Sequence, residues 1–129
     1  MNVKSLKLPR IFLVLVALHS FCVGLGLILI PLDYFDLFGF SAYSGNFFKI
    51  QAGIFHIVMC GAYVSAALDP VGNRIMIRFA IFAKMIATLF LVSYAVFIDM
   101  IWMVLASGIF DFLMGLVLIG FNKGLRHTR

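Results

Sequence analysis

The sequence predicts an all-α fold: an antiparallel bundle of four transmembrane helices forming a single membrane domain over residues 1–129, with both termini cytoplasmic. Three observations carry this. The 129 residues are 64% hydrophobic and 12% charged, with no glutamate, against about 45–50% apolar and about 25% charged for a soluble domain. The mean hydropathy is +1.15. The apolar residues fall in four long runs, each near the ~20 residues that a helix needs to cross a hydrocarbon core about 30 Å thick. This composition excludes a disordered chain, a collagen-like chain and a soluble globular domain. The strand alternation of a membrane barrel is absent from the runs.

The first run extends from Ile11 to Pro31 without a charge. Lys4, Lys7 and Arg10 before it resemble the basic start of a secretory signal. The apolar stretch is longer than the about 7–15 residues of a signal core, and no small-x-small cleavage site follows, so a retained span is expected. Neither end of the sequence carries a lipidation motif. The loop after it, from Leu32 to Asn46, is too aromatic for a solvated linker. Tyr34, Phe35, Phe38, Phe40 and Tyr43 suit the headgroup level, where amphipathic rings collect, and part of the loop is expected as a short surface helix.

The second run, Phe47 to Leu68, holds Lys49 near its start. Asp69-Pro70 and Gly72-Asn73 then form a short turn. The third run, Ile75 to Ile98, is interrupted by Lys84, and the fourth, Met100 to Phe121, by Asp111. The break at Asp99 is so short that the last two helices must be an antiparallel hairpin.

Basic residues set the direction. Lys4, Lys7, Arg10, Arg74, Arg78, Lys123, Arg126 and Arg129 are eight of the ten Lys and Arg residues, and four spans bring all of them to one side. Cationic flanks stay cytoplasmic, so the net charge of +5 reads as an orientation signal. A nucleic-acid partner would need a basic folded face, which short flanks do not make.

Each span holds one ionisable residue near its middle: His19, His56, Lys84 and Asp111. Counted from the basic side, they lie about 12, 18, 13 and 15 Å deep. Such groups are costly in lipid and face a bundle interior or a pathway, so a single polar layer is expected, and it is the candidate ligand site. Lys84 and Asp111 are expected to pair, since each alone would be an uncompensated charge. Small residues beside them, Ala80, Ala83, Ala87 and Thr88 on one helix and Ser107, Gly108 and Gly115 on the other, favour close approach in lipid. Two roles stay open for the pair: a register pin between helices, or a proton or substrate contact.

His19 and Cys22 are three residues apart and His56 and Cys60 four apart, so each pair shares a helix face. A Cys-His metal site is conceivable, but no CxxC is present and a free cysteine behaves as a small hydrophobe. Bis-histidine haem ligation is the other option, with Gly24, Gly26, Gly53 and Gly61 giving room. The depth offset of about 6 Å argues against both histidines reaching one iron. No cofactor and no metal is expected.

On the second span Lys49, Ala52, Gly53, His56, Cys60, Tyr63 and Ala67 follow one helical face, expected to line the bundle centre. Lys49 either snorkels or faces Asp33, Asp36 or Asp99 across the outer mouth, where Asn46, Lys49 and Gln51 are candidates for receiving an anionic group.

Gly61-Ala62-Tyr63, Ala66-Ala67-Leu68-Asp69-Pro70, Asn73-Arg74, Lys84 and Asp111 resemble the DoxX-like family of small bacterial four-helix integral membrane proteins. The resemblance spans most of the chain. It implies a bacterial inner-membrane bundle and, from members linked to thiosulfate–quinone oxidoreduction, a redox-associated subunit. It carries no catalytic residue onto this chain.

No catalytic motif is present: no GxSxG, HExxH or phosphate-binding glycine loop. Three functions are therefore weighed. The first is a non-enzymatic accessory or scaffold subunit of a larger membrane assembly, a redox-linked one being an option, with other membrane subunits or further copies as partners. The second is a binder or carrier of a small hydrophobic or quinone-like ligand. The third is a proton or small-solute pathway in an oligomer.

Overall fold

The computed structural model describes residues 3–40 and 44–125, with side chains in the first helix from residue 6 onward. Among the described residues it is all helical: α1 (Val3–Leu29), a short 3-10 helix (Leu32–Phe38), α2 (Phe47–Leu68), α3 (Arg74–Phe97) and α4 (Trp102–Gly124). The four long helices are long and apolar enough to cross a membrane.

Two boundaries differ most from expectation. Helix α1 begins at Val3 and runs through Pro9, so the basic flank is helical rather than a lead-in. Proline is tolerated in apolar spans when neighbours satisfy the freed groups, and here Leu6 and Pro9 are both buried. Helix α4 likewise extends to Gly124, beyond the last strongly apolar residue, because Leu125 is buried too.

The turns follow their chemistry. Asp69 Oδ1 accepts the backbone N–H groups of Val71 at 3.2 Å and Gly72 at 3.0 Å, an Asx turn closing α2 onto α3. A Cβ at Gly72 would overlap Asp69 Oδ2, so glycine there leaves room for the carboxylate over the turn. Asn73 Nδ2 donates to the Ser65 carbonyl at 2.7 Å, tying the two helix ends. At the α3–α4 turn the N–H groups of Ile98 and Asp99 both donate to the Tyr94 carbonyl.

Helix α1 packs mainly on α2 and α3 mainly on α4, while α2 meets α3 and α1 meets α4 far less. The molecule is therefore two close hairpins leaning together. Within the first hairpin the backbones cross at glycines: a Cβ on Gly53 would stand 2.7 Å from the Gly24 carbonyl oxygen, and one on Gly24 2.9 Å from the Gly53 carbonyl oxygen. In the second, Gly108 receives Val92 and Leu91, and Gly115 receives Met85 and Lys84.

The hairpins share their apolar core at one end. The apolar core consists of Leu6, Leu13, Val16 and Ala17 of α1, Tyr63, Ala66 and Ala67 of α2, Ile77 and Ala80 of α3, and Leu118 with Leu125. All lie toward the end that carries the α2–α3 turn and the basic flanks. Arg74 of α3 donates to the side-chain and backbone oxygens of Asn122 at 2.9 and 2.8 Å, and Phe12 meets Phe121 edge-on.

The opposite end is crossed by the 3-10 helix, which acts as a strap. Phe35 is buried, packs on Phe38 and Phe40, and lies under the Lys49 ammonium at 5.3 Å. Gly39 ends the strap at φ 92°, a left-handed conformation suited to glycine, and a Cβ there would press on Trp102 at 3.1 Å. The strap thus reaches from α2 to α4. Of its aromatics, Phe35 is a buried plug and Tyr34 is exposed, while Tyr43 lies outside the described residues.

Candidate functional site

Where the two-hairpin core ends, a cleft of about 120 Å³ begins. It is lined by Ser20, Phe55, His56, Met59, Tyr63, Ala83, Lys84, Ala87 and Asp111, so all four long helices contribute. Three of the four residues expected in a polar layer, His56, Lys84 and Asp111, meet here. The antiparallel helices bring them level, and their small neighbours leave the space.

Lys84 and Asp111 form the expected pair, with Nζ 2.5 Å from Oδ1 and both side chains largely buried. The Lys84 ammonium also lies 5.7 Å from the Tyr63 ring centroid, in range for a cation–π contact. Thr88 returns its hydroxyl to the Lys84 carbonyl at 2.8 Å, so its polarity is spent within the helix.

The fourth member is Ser20, not His19. Ser20 is 1% exposed, and its Oγ lies 3.1 Å from both His56 Nδ1 and the His56 carbonyl oxygen, to which it donates. When that proton goes to the carbonyl, the tautomer that fits has Nδ1–H donating to Ser20 and Nε2 as the acceptor of the ring. His19 is exposed on the bundle surface. The reason is helical phase: Leu13, Val16, Ala17, Ser20 and Gly24 form the buried stripe of α1, and His19 is one position off it. Helix α1 is apolar on every side, so only its packing on the neighbouring helices picks out this stripe and, with it, Ser20.

The cysteines separate in the same way. Cys60 donates its thiol toward the carbonyls of Ala17 and His56 at 3.3 Å, whereas Cys22 is exposed. The described residues contain no group of three or more His, Cys, Asp or Glu side chains placed to hold a metal ion. Gly24 and Gly53, whose small size offered room for a macrocycle, are filled by each other's backbone and by Ile57 and Ile28.

At the strap end Lys49 is 5% exposed and donates to the Ile30 carbonyl at 2.5 Å. It neither snorkels nor meets Asp33, Asp36 or Asp99 as an ion pair. It caps the C-terminal end of α1, where unpaired carbonyls and the helix dipole favour a cation. Asn46 and Gln51 are exposed. The remaining α2 stripe holds as a face, with Gly53, Tyr63 and Ala67 buried, His56 and Cys60 partly buried, and Ala52 exposed.

The cleft has hydrogen-bonding capacity left over. Tyr63 is 2% exposed, yet its hydroxyl has no hydrogen-bond partner among the described residues and is open to the cleft. Lys84 spends one donor on Asp111, out of three. The second Asp111 oxygen and His56 Nε2 remain as acceptors. Donors and acceptors thus face one another across an otherwise apolar opening, which can orient a small polar head without any covalent step.

Comparison with known protein families, curated proteins and solved structures finds no match.

Proposed function

We propose that this chain is a small multi-pass membrane protein that binds a small amphiphile, quinone-like or phenol-like, by its polar head in the central cleft. The observation that carries the reading is the unspent hydrogen-bonding capacity of Tyr63, Lys84, Asp111 and His56 around one opening. In a low-dielectric surround an unmet polar group costs free energy, and a carbonyl or hydroxyl head supplies the missing partner. Lys84 and Tyr63 donate to a carbonyl or phenolate oxygen, and His56 or Asp111 accepts from a hydroxyl. Ser20 fixes the ring of His56. The chain's resemblance to the DoxX-like family, and with it an inner-membrane, redox-associated setting with both termini cytoplasmic, belongs to the same proposal.

The test is native mass spectrometry of the protein released from nanodiscs equilibrated with a decyl-tailed benzoquinone or a decyl-tailed phenol. A retained one-to-one adduct, lost in Lys84→Met combined with Asp111→Leu, supports the reading. Retention of neither probe overturns it.

A second reading, an accessory subunit, is favoured by a different feature. A groove of about 390 Å³ runs along the outer half of α3, lined by Ile86, Leu89, Phe90, Ser93, Tyr94, Phe97 and Ile98. Its polar members, Ser93 and Tyr94, suit a helix-helix contact in lipid better than bare lipid does. A fixed partner in a mild-detergent pull-down, lost on Ser93→Leu, supports that reading.

A further inference from the structure

We infer that the central cleft opens sideways into the bilayer, between α2 and α3, and therefore takes its ligand from the lipid phase with the head inside and the tail left in the seam. This rests on the binding reading above but is carried by separate observations.

The first is what closes the other directions. Toward the basic end the cleft is floored by the two-hairpin core, where Ala66, Ala80 and Leu118 are fully buried and Ile77 nearly so. Toward the opposite end stands the strap, held by Phe35 over Lys49 and by Gly39 against Trp102. Between α1 and α2 the backbones touch at Gly24 and Gly53, and between α3 and α4 the Gly108 and Gly115 contacts fill the space.

The second is which of the two looser sides, α1–α4 and α2–α3, the cleft faces. Helices α1 and α4 give it only Ser20 and Asp111, and the rest of its lining comes from α2 and α3. Phe55 and Met59 of α2 and Ala83 and Ala87 of α3 line the cleft on the flanks that these helices turn toward each other. The other α3 flank, marked by Met85 and Val92, is committed to α4. Phe55 stands at the lip and is 62% exposed. The two alanines leave a gap where larger residues would have sealed the seam.

The third is size. About 120 Å³ is room for about four waters at about 30 Å³ each, well below the ~300 Å³ at which pockets that enclose a drug-sized ligand begin. A whole amphiphile does not fit. A head fits, and the open seam is lined with apolar groups for the tail.

The experiment has two arms. In the first, Trp102→Phe combined with Phe55→Trp places a single tryptophan at the lip, in liposomes containing lipids brominated at mid-chain. Strong quenching by the brominated lipid with little by aqueous acrylamide is expected. The reverse pattern overturns the inference, and because no ligand is used it does so independently of the binding reading. In the second arm Ala87→Phe plugs the seam, while Ala52→Phe adds the same bulk on the exposed face of α2. Retention of the decyl-tailed benzoquinone should fall roughly tenfold or more for the plug, as loss of a buried contact of this kind does, and should persist for Ala52→Phe. Equal retention by both variants overturns the lateral route. If the unsubstituted protein retains no probe, the binding reading fails while the quenching arm still reports whether the seam is open to lipid.

Discussion

Among single residues, the cost of a charge in hydrocarbon governs the centre of this protein. A lone charge at mid-span costs about 2.5–3.5 kcal/mol even on the most lenient insertion scale, and breaking a buried pair by removing one partner costs about 3–5 kcal/mol. Lys84→Met should therefore destabilise the bundle by several kcal/mol in reversible unfolding in detergent. Lys84→Met combined with Asp111→Leu should recover most of that loss. Equal destabilisation of single and double variants would mean that the contact between Lys84 and Asp111 contributes little. Ser20 gives a second test. Ser20→Ala frees the His56 ring and should weaken probe retention about tenfold, on the scale of a lost buried hydrogen bond. His19→Ala, at an exposed position, should weaken it much less. The ionisable residues are legible in the sequence because any such residue in an apolar run stands out. Ser20 is not, since a hydroxyl in a span is common and only its phase on α1 marks it.

Among the helices, the hairpins depend on glycine contacts rather than on amphipathic stripes. Lipid tails are as apolar as leucine side chains, so helices associate through close packing and polar contacts. Gly53→Ala would drive a methyl to 2.7 Å from the Gly24 carbonyl, so α1 and α2 must separate. At Gly61 and Gly120 nothing lies within 4 Å of where a methyl would stand, and Gly61→Ala or Gly120→Ala should instead gain up to about 1 kcal/mol of helix propensity. Unfolding midpoints of the three variants check this contrast, and a Gly53→Ala protein as stable as Gly61→Ala would contradict the crossing. The spans themselves are legible: α2 begins and ends where hydropathy places it, and α3 and α4 differ by one to three residues at each end. The course of α1 through Pro9 is not, because burial of Leu6 and Pro9 depends on what the far end of α4 brings to them. The fate of Lys49 is hidden for the same reason. Its acceptor, the Ile30 carbonyl, lies beyond the end of another helix.

Across the whole molecule, the two hairpins are joined firmly at the basic end and bridged by a strap at the other. Ala80 belongs to the shared core and has no exposed surface, so Ala80→Leu should pry the hairpins apart. Overpacking of this kind costs about 1–3 kcal/mol. Ala52→Leu, on the exposed face of α2, should cost nearly nothing, and paired unfolding curves distinguish the two. Sequence alone dictates the class of protein, the number and approximate limits of the helices, and the pairing of Lys84 with Asp111. Hydropathy and the cost of isolated charge are local properties that any one span displays. Packing in three dimensions puts Ser20 rather than His19 at the centre, sets Lys49 over the end of α1, and parts the hairpins to leave a cleft between α2 and α3. Those outcomes depend on helical phase and on which faces the neighbouring helices present, and side chains distant in sequence set both.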